Sequence, residues 1–171
     1  MDTMAAIELA LKNEKTEMEF YQHEASRSRN PLAKAMFLQL AKDEEEHMTR
    51  IRGVHQKRSA DGSWPKDVPI QVKGTHVTRV LEETVKKTGS AQDHDGDDQA
   101  ALRKAIEFEA RGHRFYVELA AGCSNPMEQK FFRFLAEIER EHHLSLVDSL
   151  AYLEDPEGWT RQHERSGLDG A

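Results

Sequence analysis

Leu40-Ala41-Lys42-Asp43-Glu44-Glu45-Glu46-His47 and Leu135-Ala136-Glu137-Ile138-Glu139-Arg140-Glu141-His142 are two copies of one pattern, Leu-Ala-x-x-Glu-x-Glu-His. In each copy a Glu precedes a His by three positions, Glu44 before His47 and Glu139 before His142. On a helix that spacing places a carboxylate and an imidazole on one face, a turn apart. The interval of 95 positions between the copies holds well beyond them. Ala6 aligns with Ala101, Ala10 with Ala105, Glu14 with Glu109, Phe20-Tyr21 with Phe115-Tyr116, Ala25 with Ala120, Asn30-Pro31 with Asn125-Pro126 and Phe37 with Phe132. An ungapped register through all of these pairs says that residues near 5–51 and near 100–146 are one structural unit used twice.

The unit reads as a helical hairpin. Ile7, Ala10, Leu11, Glu14, Met18, Tyr21 and Ala25 follow a helical period, which predicts a helix over about 3–27. Asn30-Pro31 then breaks and restarts the chain, Asn suiting the N-cap and Pro the first helical position. Met36, Phe37, Leu40, Ala41, Glu44, His47, Met48 and Ile51 share the inner face of a second helix, about 31–55. The second half predicts a helix over 98–121, capped by Asp97 or Asp98, with Leu102, Ala105, Ile106, Glu109, His113, Tyr116 and Ala120 inward. A fourth, over 126–154, turns Phe131, Phe132, Leu135, Glu139, His142, Leu146 and Leu150 inward.

Hairpin arithmetic locates a polar layer. Glu14 lies 16 residues before Asn30, and Glu44 and His47 lie 14 and 17 after it. Both therefore stand within about 3 Å of Glu14's height, at about 1.5 Å rise per residue. Glu109, Glu139 and His142 repeat these intervals around Asn125. Two hairpins packed about a pseudo-twofold axis bring all six side chains to one level. Four-helix carboxylate proteins hold two metal ions with a Glu-x-x-His unit from two helices and a Glu from each of the others. Four carboxylates inside a helical core cost several kcal/mol each unless paired or metal-bound. Two divalent ions would balance Glu14, Glu44, Glu109 and Glu139, and a mixed imidazole and carboxylate set suits iron, manganese or zinc rather than calcium.

The remaining stretches add less. Residues 56–97 form a long connection, turn-rich from Ser59 to Pro69. Val77, Val80, Leu81 and Val85 share one face over Thr75–Lys87, predicting a short helix laid on the bundle. Asp93-His94-Asp95-Gly96-Asp97-Asp98 lacks the Gly and Glu that a calcium loop requires at its sixth and twelfth positions. The tail after Asp155-Pro156, residues 156–171, offers Trp159 and Leu168 for docking on the bundle, residues 1–155, or on a neighbouring subunit. A net charge of −7 argues against nucleic acid or anionic lipid as a partner. No run of eighteen apolar residues and no basic, apolar leader occurs, so a soluble, cytoplasmic protein is expected. Cys123 is the only cysteine, which excludes an internal disulfide or dithiol redox pair and reads as a buried helix-end residue. His113 reads as structural, and His23, His55, His76, His94 and His163 as solvated; the repeat selects His142 over its neighbour His143.

Together the two Glu-x-x-His units, the two Glu-x-x-x-x-x-Phe-Tyr segments and the repeated hairpin resemble the rubrerythrin branch of the ferritin-like superfamily. The resemblance implies an all-α, ferritin-like four-helix bundle of two antiparallel hairpins (3–55 and 98–154) joined by a long crossover, 56–97. It also implies a di-iron centre with redox chemistry toward peroxide or oxygen. Glu44 and Glu139 would bridge the metals, Glu14 and Glu109 would be terminal ligands, and His47 and His142 would each complete one ion. Tyr21 and Tyr116 would stand just outside the centre, as candidate catalytic groups. Two departures stand out. One cysteine cannot form the four-cysteine iron site of a full-length rubrerythrin. Gly112 occupies the position of that family's extra Glu, three after the lone Glu of the third helix, and Glu17, three after Glu14, is a further candidate ligand.

The expected function is therefore a peroxide reductase or ferroxidase-like oxidoreductase with two metal ions and an external electron donor. Iron is the first choice of metal, with manganese or zinc as alternatives. A metal-buffering or metal-stabilised bundle without enzymatic activity, and a helical interaction module, are the other readings. The expected assembly is a homodimer, with hairpins free to exchange across the long connection.

Overall fold

Two asparagines set where the hairpins turn. In the computed structural model Asn30 and Asn125 both take extended backbone (φ −71°, ψ 122° and φ −85°, ψ 124°), and each Oδ1 accepts two amide protons of the helix that follows. Pro31 and Pro126 occupy the first position of those helices, where no amide donor is needed. Each cap contributes about 1 kcal/mol. The helices so placed are α1 (Thr3–Arg27), α2 (Pro31–Asp61), α3 (Gly96–Gly122) and α4 (Pro126–Glu154). The structure describes residues 3–64, 77, 79–81, 83 and 96–168, with side chains up to 163.

α1 packs along α2, and α3 along α4. The two hairpins are tied at both ends of the bundle. At one end Asp98 accepts the Asn30 amide at 3.0 Å, and at the other Thr3 Oγ1 donates to Glu128 at 2.7 Å. Asp98 thus lies inside the first turn of α3 and serves the opposite hairpin rather than capping its own helix. The start of α2 therefore lies beside the start of α3, and α1 begins beside α4, so α2 ends and α3 begins at opposite ends of the bundle.

Hydrophobic burial follows the repeat. One core cluster holds Tyr21, Ala25, Phe37, Leu40, Ala41, Leu102, Ala105 and Leu146. The other holds their partners at the 95-residue interval: Tyr116, Ala120, Phe132, Leu135, Ala136, Ile7, Ala10 and Ile51. Tyr21 stacks on Phe37 at 6.3 Å and 19°, and Tyr116 on Phe132 at 6.4 Å and 15°. Each cluster draws on all four helices, so the pseudo-twofold axis crosses the bundle between them. The six polar side chains occupy that level.

Two features lie beyond the periodic reading, the end of α2 and a fifth helix, while the described part of the crossover agrees with it. α2 runs past 55 to Asp61, because nothing breaks it before Gly62, whose left-handed φ of 72° ends the helix while its N–H donates to Arg58 O. Val77 and Leu81 of the crossover are helical and buried in the first cluster. Arg79, Val80 and Glu83 are helical too, Val80 packing against the same cluster; the other positions of the expected Thr75–Lys87 helix, the loop from Pro65 and the stretch Asp93–Asp95 lie outside the described residues. Pro156–Leu168 is a further helix, α5, with Trp159 edge-on to Tyr152 at 5.4 Å and donating from Nε1 to Asp148 at 2.7 Å. Among the described residues no helix is long and apolar enough to cross a membrane.

Candidate metal centre

Glu14, Glu44, His47, Glu109, Glu139 and His142 are all buried, none more than 5% exposed. α1 supplies Glu14, α2 supplies Glu44 and His47, α3 supplies Glu109, and α4 supplies Glu139 and His142. Their donor atoms form two groups. Glu14, Glu44, His47 and Glu139 bring ligand atoms within 4.8 Å of one another, and Glu44, Glu109 and His142 do the same. Glu44 belongs to both. Its Oε2 lies 2.9 Å from His47 Nδ1, and its Oε1 lies 3.6 Å from His142 Nδ1. His47 Nδ1 is also 3.0 Å from Glu14, and His142 Nδ1 3.5 Å from Glu109. The two imidazoles lie nearly parallel, 5.4 Å apart at 24°.

The tyrosines cross between hairpins. Tyr21 of α1 donates to Glu109 of α3, and Tyr116 of α3 donates to Glu14 of α1. Each hydroxyl fixes one oxygen of a carboxylate, leaving the other for the interior. Burial and the facing carboxylates push both phenols well above their ordinary range, so they remain protonated donors.

Charge in the cluster is out of balance without cations. Burial, then Glu14 and Glu109, raise Glu44 well above the usual carboxylate range; burial, then Glu109, Glu14 and Glu44, do the same to Glu139. Burial also acts against Glu14 and Glu109, but His47 with Tyr116, and His142 with Tyr21, outweigh it and hold them low. Burial opposes charge on both imidazoles, yet the carboxylates keep His47 above its ordinary value and lift His142 to about 9. Without cations these shifts favour protons on Glu44, Glu139, His47 and His142, which offset the charge of Glu14 and Glu109 only in part of the pH range.

Hydrogen bonding is incomplete as well. Glu44 Oε1, Glu109 Oε2, both Glu139 oxygens and His142 Nδ1 are buried without a hydrogen-bond partner among the described residues. A buried polar atom left so costs about 1–3 kcal/mol. All five atoms belong to residues of the two ligand groups, so a pair of cations would satisfy them and the excess negative charge together. The residues fit the metals they imply.

Glu17 is half-buried and belongs to neither group, although burial, then Glu109 and Glu14, raise it well above its ordinary range. At its repeat partner Gly112, an added Cβ would lie 2.8 Å from Glu139 Oε2. Gly112→Ala is expected to move the Glu139 carboxylate rather than the backbone, because the clashing atom is a side-chain tip. Metal stoichiometry should fall while the melting temperature of the metal-free protein changes little; unchanged metal content would show that Glu139 is not a ligand.

The other candidates sort plainly. His113 Nδ1 meets Ala136 O at 2.9 Å, linking α3 to α4 outside both groups, and His143 is half-buried. His23 and His163 are exposed, while His55 is half-buried, 3.6 Å from Glu8. His76 and His94 lie outside the described residues. Cys123 is half-buried rather than buried, because α3 ends at Gly122; its thiol, pushed up by burial and then Glu128 to about 11, donates to Leu119 O. Asp43, 7% exposed and 3.4 Å from His142 Nε2, is the side chain that periodicity passes over, since its repeat partner is Ile138.

Comparison with known proteins agrees with this arrangement. The family model described as Rubrerythrin matches residues 6–93 and 100–167. A solved structure of a hypothetical protein from Pyrococcus furiosus shares the fold, with a TM-score of 0.62 at 19% identity over 91% of this chain and 92% of that one. None of the curated proteins matches.

Proposed function

Because the chain belongs to the rubrerythrin family, we propose that it is a di-iron oxidoreductase that reduces peroxide or oxygen with electrons from an external donor. The observation that carries this reading is the pair of buried ligand groups sharing Glu44. Glu14 and His47 would hold one ion, Glu109 and His142 the other, with Glu44 and Glu139 between them. When bound, two iron ions supply a pair of electrons to one oxidant molecule.

The chain's own part is to hold and shield. Tyr21 and Tyr116 orient the two terminal carboxylates by hydrogen bonds from the opposite hairpin. The apolar clusters above and below keep bulk water out of the polar layer and strengthen every charge interaction within it. Burial and the neighbouring carboxylates raise Glu44 and Glu139 well above the usual range, so it is these two groups that favour a proton wherever no cation faces them. The one cysteine of these 171 residues cannot supply a four-thiolate iron site, so a donor outside the bundle would deliver the electrons.

Anaerobically reduced, iron-loaded protein should be reoxidised faster by hydrogen peroxide than by air in stopped-flow absorbance. Reoxidation by neither oxidant faster than that of free ferrous iron would remove the proposal. A second reading, a metal-binding bundle that buffers iron or zinc, draws support from Gly112, where the extra carboxylate of the resemblance is missing. Native protein filled with zinc and inert to both oxidants would favour it.

A further inference from the structure

The residues of the centre pair across the 95-residue interval: Glu14 with Glu109, Glu44 with Glu139, His47 with His142, Tyr21 with Tyr116. Asp43 breaks the pairing. Its carboxylate stands 3.4 Å from His142 Nε2, on the side of the ring away from the ligand group that Nδ1 faces. Gln39 Nε2 donates to the other Asp43 oxygen at 2.7 Å and fixes its direction. Position 138, where the repeat would place a matching group for His47, is a buried Ile. Among the described residues the carboxylates within 4.0 Å of the His47 ring nitrogens are Glu14 and Glu44, both on Nδ1.

We propose that Asp43 makes the two halves of the centre unequal, so that the ion on the His142 side is bound first and more tightly than the ion on the His47 side. This rests on the di-metal reading above. A carboxylate 3.4 Å from Nε2 favours the tautomer that carries its proton on that nitrogen, which leaves Nδ1, on the Glu44 and Glu109 side of the ring, as the atom free to ligate. Losing such a partner typically weakens metal binding about 10–100-fold. Asp43 therefore acts as a positioning residue, through His142.

Ligand number does not reverse the order. The His47 group counts four residues against three, the difference being Glu139. Both Glu139 oxygens lack a hydrogen-bond partner among the described residues, however, so nothing there commits that carboxylate to the His47 side; turned toward both ions, it would give each half one terminal Glu, one His and two shared carboxylates. The other break in the repeat, Glu17 against Gly112, adds a ligand atom to neither group. What remains different is the support behind the imidazoles.

The test is anaerobic titration of metal-free protein with Co(II), read by absorbance and calorimetry. Wild type should show two separable steps. His142→Ala should remove the tight step and His47→Ala the weak one. Asp43→Leu should weaken the tight step about 10–100-fold and leave the weak one in place. Asp43→Asn should fall between, because an amide oxygen can still face Nε2 without the charge, and its near-identical shape separates the effect from misfolding. Ile138→Asp should tighten the weak step. Two Co(II) ions binding to Asp43→Leu with the wild-type isotherm, or with both steps weakened alike, would overturn the inference and leave the di-metal reading standing. No binding to wild type would end both.

Discussion

Replacing Glu44 with alanine is expected to empty both metal positions at once, whereas Glu14→Ala and Glu109→Ala should each weaken one. Glu44 is the residue common to the two ligand groups, with one oxygen toward His47 and the other toward His142. Its loss removes a donor from each ion and lowers the negative charge that two cations must meet. Glu44→Gln keeps the volume and removes only the charge, so it separates ligation from cavity formation. Its penalty should exceed the 10–100-fold typical of a residue one shell out. Metal content after anaerobic loading and desalting should fall from about two ions per chain, as such centres hold, to near zero in both variants. Both should stay helical, because a charged Glu44 is unfavourable without metal: burial, then Glu14 and Glu109, raise it well above the usual carboxylate range. Full retention of two ions by Glu44→Ala would refute the centre as drawn.

The centre was legible because a duplicated chain reports its own contacts. Glu44 alone, on a helix with three consecutive Glu, reads as a solvated face; its recurrence as Glu139, at matching heights from Asn30 and Asn125, does not. The same register exposed Tyr21 and Tyr116 as equivalents, although which carboxylate each would meet depends on packing between hairpins and was not readable. What the repeat could not reveal is where the halves differ. Asp43 faces His142 across a helix–helix seam, and Ile138 gives no hint of it. Asp98 looked like a cap for its own helix, yet it accepts the Asn30 amide, a contact set by the docking of α3 against the other hairpin. α5 escaped detection because its one strong anchor, Trp159 on Tyr152 and Asp148, lacks an apolar stripe to announce a helix. Local pattern specified the hairpins; the seams between them came from tertiary packing.

Removing the metals should make the protein lose stability as pH rises from about 6.5 to about 9, while the metal-loaded protein stays nearly level. In the metal-free fold His142 titrates at about 9, after the carboxylates around it overcome burial, against 6.5 for an exposed imidazole. A folded value above the unfolded one stabilises fully below about 6.5, and that contribution disappears as pH climbs through about 9. His47 acts in the same direction. Glu44 and Glu139, raised well above their ordinary value, also favour the protonated, lower-pH side. Glu14 and Glu109 are held low, so they stabilise above about 4.5 and act only at the acid end. For His142 alone the loss is roughly 3 kcal/mol. At about 2–4 °C per kcal/mol for a domain of this size, that is a drop of roughly 10 °C. Divalent ions take the place of the protons on Glu44, Glu139, His47 and His142, so their binding should release protons and tighten as pH rises. Thermal melts in chelator and in saturating Zn(II) at both pH values, with proton release followed in weak buffer, check the whole argument. A metal-free melting temperature that is flat or rises toward pH 9 would mean that the six side chains are not charged in the way their burial and spacing require.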